Sequence, residues 1–257
     1  MLHNLNVAKE VAQPAFIQWI KPANGRAVAT VGAGLKIDAC QTALFQIGPY
    51  AEYFWTTDSA KRQNTLRAGL DVDWQFRSIG ASAAVWSPLL LLQANVKSDN
   101  ERHERGGQLD ARLTAVMPNQ RWPAPNATWR PSAAFDLVYA PYLGVIVDHV
   151  GAASDTGRQG TIIRGVTQLD VSVFPAAVSW SRRVELAASY GYERDMTDGT
   201  AEHDDDHQFV RAALNVFFVK EADKAAGLSV IHSQGEDPSR DYARTQEWKI
   251  AFTLRIR

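Results

Sequence analysis

Between Leu66 and Arg77 the chain alternates without a break. Leu66, Ala68, Leu70, Val72, Trp74 and Phe76 hold one parity, and Arg67, Gly69, Asp71, Asp73, Gln75 and Arg77 hold the other. Successive side chains of a β-strand point to opposite faces, so the segment predicts a strand with one apolar and one strongly polar face. It is much longer than the common globular strand of about 5–6 residues.

The pattern recurs along the chain. Ala27 to Ile37 carries Val31 and Leu35 against Lys36 and Asp38 beyond it. Phe45 to Trp55 sets Ile47 and Tyr53 against Gln46 and Glu52. Ala84 to Lys97, Leu109 to Met117, Ile163 to Val173, Val184 to Glu193, Val210 to Phe218 and Trp248 to Arg257 alternate in the same way. Ala133 to His149 and Ala226 to Gln234 do so less cleanly. These are eleven long amphipathic strands, and the short stretch Ala15 to Ile20 makes a twelfth. Apolar residues nowhere recur at a helical period. Strands of this length match the about 9–11 residues that cross a bilayer at a tilt. The competing architecture is a soluble β-sandwich, whose strands also alternate but are shorter.

The connections are expected at 21–26, 39–42, 57–63, 78–80, 98–106, 118–131, 150–160, 176–183, 195–208, 220–225 and 235–246. They alternate long and short, as external loops and periplasmic turns do in transmembrane barrels. The Pro- and Trp-bearing stretch 118–131 is the misfit, because it is long on the short-turn side. An even strand count then puts both chain ends on the periplasmic side. Pro88 and Pro175 each remove a ladder donor, so a bulge or a strand end is expected at both. Trp55, Trp74, Trp86, Trp180, Tyr190, Tyr192 and Trp248 fall near strand ends, where interfacial aromatic girdles belong.

On these features the chain resembles bacterial outer-membrane β-barrel proteins over Ala27 to Arg257. Its last stretch, Glu247 to Arg257, looks like the closing strand that such proteins present to the assembly machinery. It departs from them in ending on Arg257, where that class commonly ends on an aromatic residue. The resemblance implies a closed antiparallel barrel of about twelve strands over 15–257, preceded by a periplasmic segment or linker over 1–14. It also implies a place in the bacterial outer membrane, with the lipid bilayer as the main partner and periplasmic or oligomeric partners besides. Met1 to Asn6 has neither a basic nor an apolar signal region. An exported chain is then expected to have lost its signal, or to be the barrel part of a longer protein.

Composition sharpens the picture. The chain has 257 residues, 46% of them hydrophobic and 10% aromatic, which excludes a disordered protein. Net charge is −1, so nothing argues for nucleic acid as a partner. The single cysteine, Cys40, excludes an internal disulfide framework and a cysteine-based zinc site. The longest apolar run, Pro88 to Leu92, is far short of the about 20 residues of a transmembrane helix. No cofactor and no metal site are expected.

If the apolar parity meets lipid, the polar parity lines a lumen. The inward cations are then Lys36, Arg67, Arg77, Lys97, Arg112, Arg164, Arg211, Lys249, Arg255 and Arg257. The inward anions are Asp38, Glu52, Asp71, Asp73, Asp110, Asp136, Asp148, Asp170, Glu185 and Glu193. The two signs balance, which predicts weak charge selectivity. The expected function is a narrow porin-like channel for small hydrophilic solutes, or the membrane pore of a larger export assembly. Two alternatives stand beside it: a barrel closed by ion pairs that serves a structural or partner-binding role, and an outer-membrane enzyme of the lipid hydrolase or protease type. For an enzyme the candidates are His149, His203, His207, His232 and Ser233. The neighbours His232 and Ser233 point to opposite faces, a poor arrangement for base and nucleophile. No catalytic residue is assigned. The acidic loop Glu202 to His207 matches no specific metal motif and is read as solvated.

Overall fold

The structure, a computed structural model, describes residues 16–20, 28–37, 39–42, 44–57, 63–77, 86–117, 123–175, 183–197, 206–220, 224–237 and 243–256. Within them the chain is all-β and antiparallel. Fourteen strands form one sheet, and the only helical element among the described residues is a single 3-10 turn, Thr156–Arg158. The strands are β1 (Phe16–Ile20), β2 (Val28–Lys36), β3 (Cys40–Gln41), β4 (Phe45–Thr56), β5 (Gln63–Gln75), β6 (Ser87–Asp99), β7 (Glu104–Val116), β8 (Trp129–Ser132), β9 (Phe135–Ala152), β10 (Gly160–Pro175), β11 (Val184–Asp195), β12 (Asp206–Lys220), β13 (Lys224–Asp237) and β14 (Ala243–Ile256).

The pairing order is β10-β11-β12-β13-β14-β1-β2-β4-β5-β6-β7-β9-β8. In addition β9 pairs with β10, from Gly160↔Val150 to Pro175↔Phe135. β1 joins β14 through a single partner pair, Phe16↔Ala251. The short strands β3 and β8 fold back on β4 and β9. Pro88 is the second residue of β6 and Pro175 the last of β10, so both prolines fall at strand ends.

The connections do not follow the expected alternation. At the end where β6 runs into β7, here the upper end, the strands extend further than their sequence pattern. The connections there shrink to 100–103 and 238–242. At the lower end, where β1 begins and β14 ends, 76–86 separates β5 from β6, and 117–134 carries β8. The alternating segments mark only the part of each strand with one apolar and one polar face. Most of the upper extensions, such as 104–108 and 235–237, hold only polar residues and glycine, so the pattern could not find them; Val150 to Ala152 of β9 is an apolar exception.

The 117–134 segment has a cause in Pro141. β7 and β9 pair only as far as Leu113↔Leu143. Just below, the Tyr139 carbonyl accepts from Asn126 N at 2.8 Å, toward the side of β7. Pro141, two residues on, faces the same way and has no N–H to give. The ladder therefore opens, and residues 123–127 fill the notch. Met117 N donates to Pro125 O at 3.2 Å, and the Asn126 amide donates to Thr114 Oγ1 at 2.8 Å and to Ala115 O at 2.9 Å. Asn126 takes a φ of 54°, a left-handed conformation that asparagine tolerates better than most residues.

Burial is inverted relative to a soluble sheet. Asp71 is 2% exposed and Asp170 4%, while their neighbours Leu70 and Leu169 are 48% and 42% exposed. Leu113, Trp74 and Phe252 also face out, and Asp110 and Arg112 are covered. The polar parity is the inner face of the sheet and the apolar parity its outer face.

Candidate functional site

The inner face carries two belts of polar side chains. The upper belt has groups on seven strands and passes over an eighth, β7. Lys97 Nζ on β6 lies 3.0 Å from Asp148 Oδ2 on β9, and Arg164 Nη1 on β10 lies 3.5 Å from the same oxygen. Arg164 Nε meets Asp195 Oδ1 on β11 at 2.6 Å. His207 on β12 follows, with Nε2 3.6 Å from Asp195 Oδ1 and Nδ1 2.6 Å from Glu236 Oε2 on β13. Arg244 Nε on β14 closes the chain at 3.0 Å from Glu236 Oε1. Neighbouring strands lie about 4.8 Å apart, within the reach of these side chains, so each group can touch both neighbours. Over β2 to β6 the same level is held mostly by hydroxyl groups. Thr30 and Thr56 share a hydrogen bond of 3.1 Å, and Thr65 donates to Asp99 at 2.9 Å.

The lower belt runs from β7 to β14. The Arg112 guanidinium grips Asp110 through Nε at 3.0 Å and Nη2 at 2.9 Å, and it also reaches Gln168 on β10. Gln168 in turn donates to both oxygens of Asp170. To span from β7 to β10, Arg112 must pass over β9, and Gly144 lies there. A Cβ on Gly144 would sit 2.4 Å from Ala111 O and 2.9 Å from Arg112 Cγ. Ser189 and Arg211 stand beside Asp170, and the register continues through Ser233 to Glu247. Lys249 Nζ meets Glu247 Oε1 at 2.7 Å.

Two apolar groups fill the inner face between and below the belts. Leu89, Leu91, Val116, Ala140 and Tyr142 form one buried cluster toward the lower end of β6, β7 and β9. Ile231 and Ala251 form another, packed by Phe54 and Ala213.

Of the residues expected to line a lumen, Asp71, Asp110, Arg164, Asp170 and Lys249 are buried on the inner face, and Arg112 is largely covered there. Glu52, Arg67, Asp73, Glu185 and Arg211 share that parity and are partly covered. Lys36 and Arg255 lie in β2 and β14, but their side chains fall outside the described residues, as do Asp38, Arg257, Trp180 and His203 entirely. Sequence reasoning missed Asp195, Glu236, Arg244 and Glu247, which lie at or beyond the ends of the alternating segments. It missed the inward leucines too, although a run of four leucines in a strand must place two on each face.

The candidate enzyme residues do not converge. His232 faces out and packs on Trp248, with ring centroids 4.6 Å apart, while Ser233 is buried on the inner face. His149 faces out and bonds Thr161 at 2.9 Å, and His207 belongs to the upper belt. Among the described residues, no group of three or more His, Cys, Asp or Glu side chains is placed to hold a metal. No family model and no curated protein matches the chain.

Proposed function

We propose that this chain is a bacterial outer-membrane protein that spans the bilayer as a closed barrel, with an interior shut at rest by its own side chains. The observation that carries the reading is the inverted burial. Leu70, Leu113, Leu169 and Phe252 are exposed on one face while Asp71 and Asp170 are covered on the other. In water that arrangement forfeits the hydrophobic driving force; in lipid it is the stable one.

Closure is supported by the pairing of β9 with β10, which links the two ends of the strand order. Fourteen strands less the folded-back β3 and β8 leave twelve. An open sheet edge is not tolerated in hydrocarbon, which adds weight to a closed form. Outward aromatics at two levels suit a bilayer as well: Trp74, Phe76 and Trp86 below, Tyr190 and Trp248 above. The lower end, where the first strand starts and the last one finishes, is assigned to the periplasm.

The belts and the apolar clusters support a closed rather than an open lumen. Asp195, Arg164 and Lys249 are 2%, 6% and 7% exposed, while Arg244 at the upper rim is 84% exposed. A closed barrel needs a partner or a signal to open it, and this fits a partner-binding role better than a standing pore.

The porin-like channel is the second reading. Gly32, Gly34 and Gly48 lie on the inner face of β2 and β4. They add no side chain to that wall, beside the partly covered Glu52, Arg67 and Asp73.

Conductance separates the two. The purified chain in a planar bilayer should insert and stay silent. Discrete conductance steps without any partner would overturn the closed state in favour of the channel. Failure to insert at all would overturn the membrane reading.

A further inference from the structure

His207 sits in the upper belt between two carboxylates that belong to different strands. Its Nδ1 lies 2.6 Å from Glu236 Oε2 on β13, and its Nε2 lies 3.6 Å from Asp195 Oδ1 on β11. All three side chains are buried. The backbone of β13 is shaped for this contact. Ser233 is buried and Gln234 exposed, so strict alternation would turn Glu236 outward. Gly235 takes a φ of 111°, which resets the phase, and Glu236 is buried instead. The register of β12 and β13 runs up as far as Phe209↔Gly235. Above that pair the His207–Glu236 contact joins the two strands.

The charged groups around the ring nearly balance. β11 brings Asp195 and Glu193, the register partner of His207, and β13 brings Glu236. β10 brings Arg164 to Asp195, and β14 brings Arg244 to Glu236. On β12 itself Asp206 meets Tyr192 and Arg194 on the outer side, and the next inward charge is Arg211, further down the strand. Among the described residues, three carboxylates thus surround the ring with two guanidinium groups, and a protonated imidazole evens the signs. The contacts suit the same form. A neutral imidazole has one N–H and one lone pair, so one carboxylate would face the lone pair, whereas an imidazolium donates from both nitrogens.

We propose that His207 is a protonation-dependent clasp, whose imidazolium ties β11 to β13 across β12 and whose loss of a proton releases the upper end of this wall. The inference rests on the resting closure proposed above and names the charge state that keeps it. Without the proton, Asp195 and Glu236 flank a ring with a single donor, and the uncompensated charge draws water into the upper interior. At the same level of the opposite wall, the hydroxyls of Thr30, Thr56 and Thr65 do not titrate in this range, so the release is one-sided.

Amide hydrogen exchange of the full chain in phospholipid vesicles tests the clasp, followed from about pH 6 to about pH 9.5. The NMR signal of His207 Hε1 records the ring's own titration. Every variant is compared with the wild type at the same pH, which cancels the intrinsic pH dependence of exchange. At the acid end the wild type and His207→Arg should protect residues 206–211 and 233–237 equally. There His207→Gln should lose about tenfold or more in protection, as the loss of hydrogen bonds to charged groups implies. As the pH rises, the wild type should fall to the level of His207→Gln, in step with the ring's titration. His207→Arg, which keeps its charge, should stay protected. Residues 63–67 should not respond in any variant. A ring that titrates without a change in protection, or that keeps its proton to the alkaline end, would overturn the clasp and leave the resting closure intact. An arginine variant as open as the glutamine variant would overturn it in favour of a fit of shape alone. Discrete conductance by the wild type at the acid end would overturn the resting closure itself.

Discussion

The upper belt and the lower apolar cluster are two parts of one inner face, sealed by opposite chemistry. From Lys97 to Arg244 the upper belt is a chain of charges, in which Lys97 reaches over β7 to Asp148 and each later group meets the next strand. Leu89, Leu91, Val116, Ala140 and Tyr142 below contain a single polar side-chain atom between them, the Tyr142 hydroxyl. The cause of the difference is the ladder. Along β9 to β14 the pairing runs from strand to strand with one irregularity, at Phe217/Val219 near the lower end, and in the upper belt Asp195 and His207 meet partners on each side. Where Pro141 opens the notch between β7 and β9, that regularity is lost. Thr114, buried there, depends on the Asn126 amide for its partner, whereas a leucine needs none. The upper belt thus holds charge along a continuous register, while apolar bulk gathers both beside the notch and, as Ile231 and Ala251, on β13 and β14.

The largest effect should come from breaking the belt. Arg164→Ala leaves Asp148 and Asp195 facing each other's side of a covered gap without their shared cation. The account predicts a loss of about 3–5 kcal/mol in unfolding free energy, read from urea titrations in lipid vesicles. In the apolar cluster, Leu91→Ala should cost about 2–5 kcal/mol through the cavity it leaves. Leu90→Ala, one residue away on the outer face, should cost less than about 1.5 kcal/mol, because lipid tails refill the space. Equal losses at Leu90 and Leu91 would contradict the assignment of faces.

Two smaller changes probe how the regions are joined. Gly144→Ala drives a methyl group into Ala111 O and Arg112 Cγ. It should cost about 1–3 kcal/mol through overpacking, and should shift the Arg112 guanidinium resonances in an NMR spectrum. Asn126→Ala removes both amide bonds and the residue's tolerance of φ 54°, so a loss of about 1–2 kcal/mol is expected. Asn126→Gly keeps the backbone and loses only the bonds, so its loss should be the smaller when the two are compared in the same titration.

What the sequence made legible follows from strand periodicity. The parity of Leu66 to Arg77 was enough to place Asp71 on the covered face and Leu70 on the exposed one. It left Leu89 and Leu91 out of the inner face, although the phase set by Ser87, Gln93 and Asn95 carries both there, because an inward leucine does not fit a polar lining. It could not find the belt either. Asp195, Glu236 and Arg244 become neighbours only through the register of β10 to β14, and no single strand contains that register. The connection lengths misled for a related reason, since strand extensions polar on both faces look like loops. The 117–134 segment is explained by one proline in another strand, a long-range cause that spacing does not reveal.

The central claim is that the exposed apolar face meets lipid while the polar face is sealed inside, and spin-label accessibility tests it most directly. On a Cys40→Ser background, single cysteines at Leu70, Leu113 and Leu169, and at Asp71, Arg112 and Asp170, would carry a nitroxide in phospholipid vesicles. The account predicts that labels at the three leucine positions collide freely with oxygen, which concentrates in the bilayer, and hardly with a water-soluble nickel complex. Labels at the three polar positions should be shielded from both. Leucine-position labels open to the nickel complex, on a chain that remains in the aqueous phase, would contradict it.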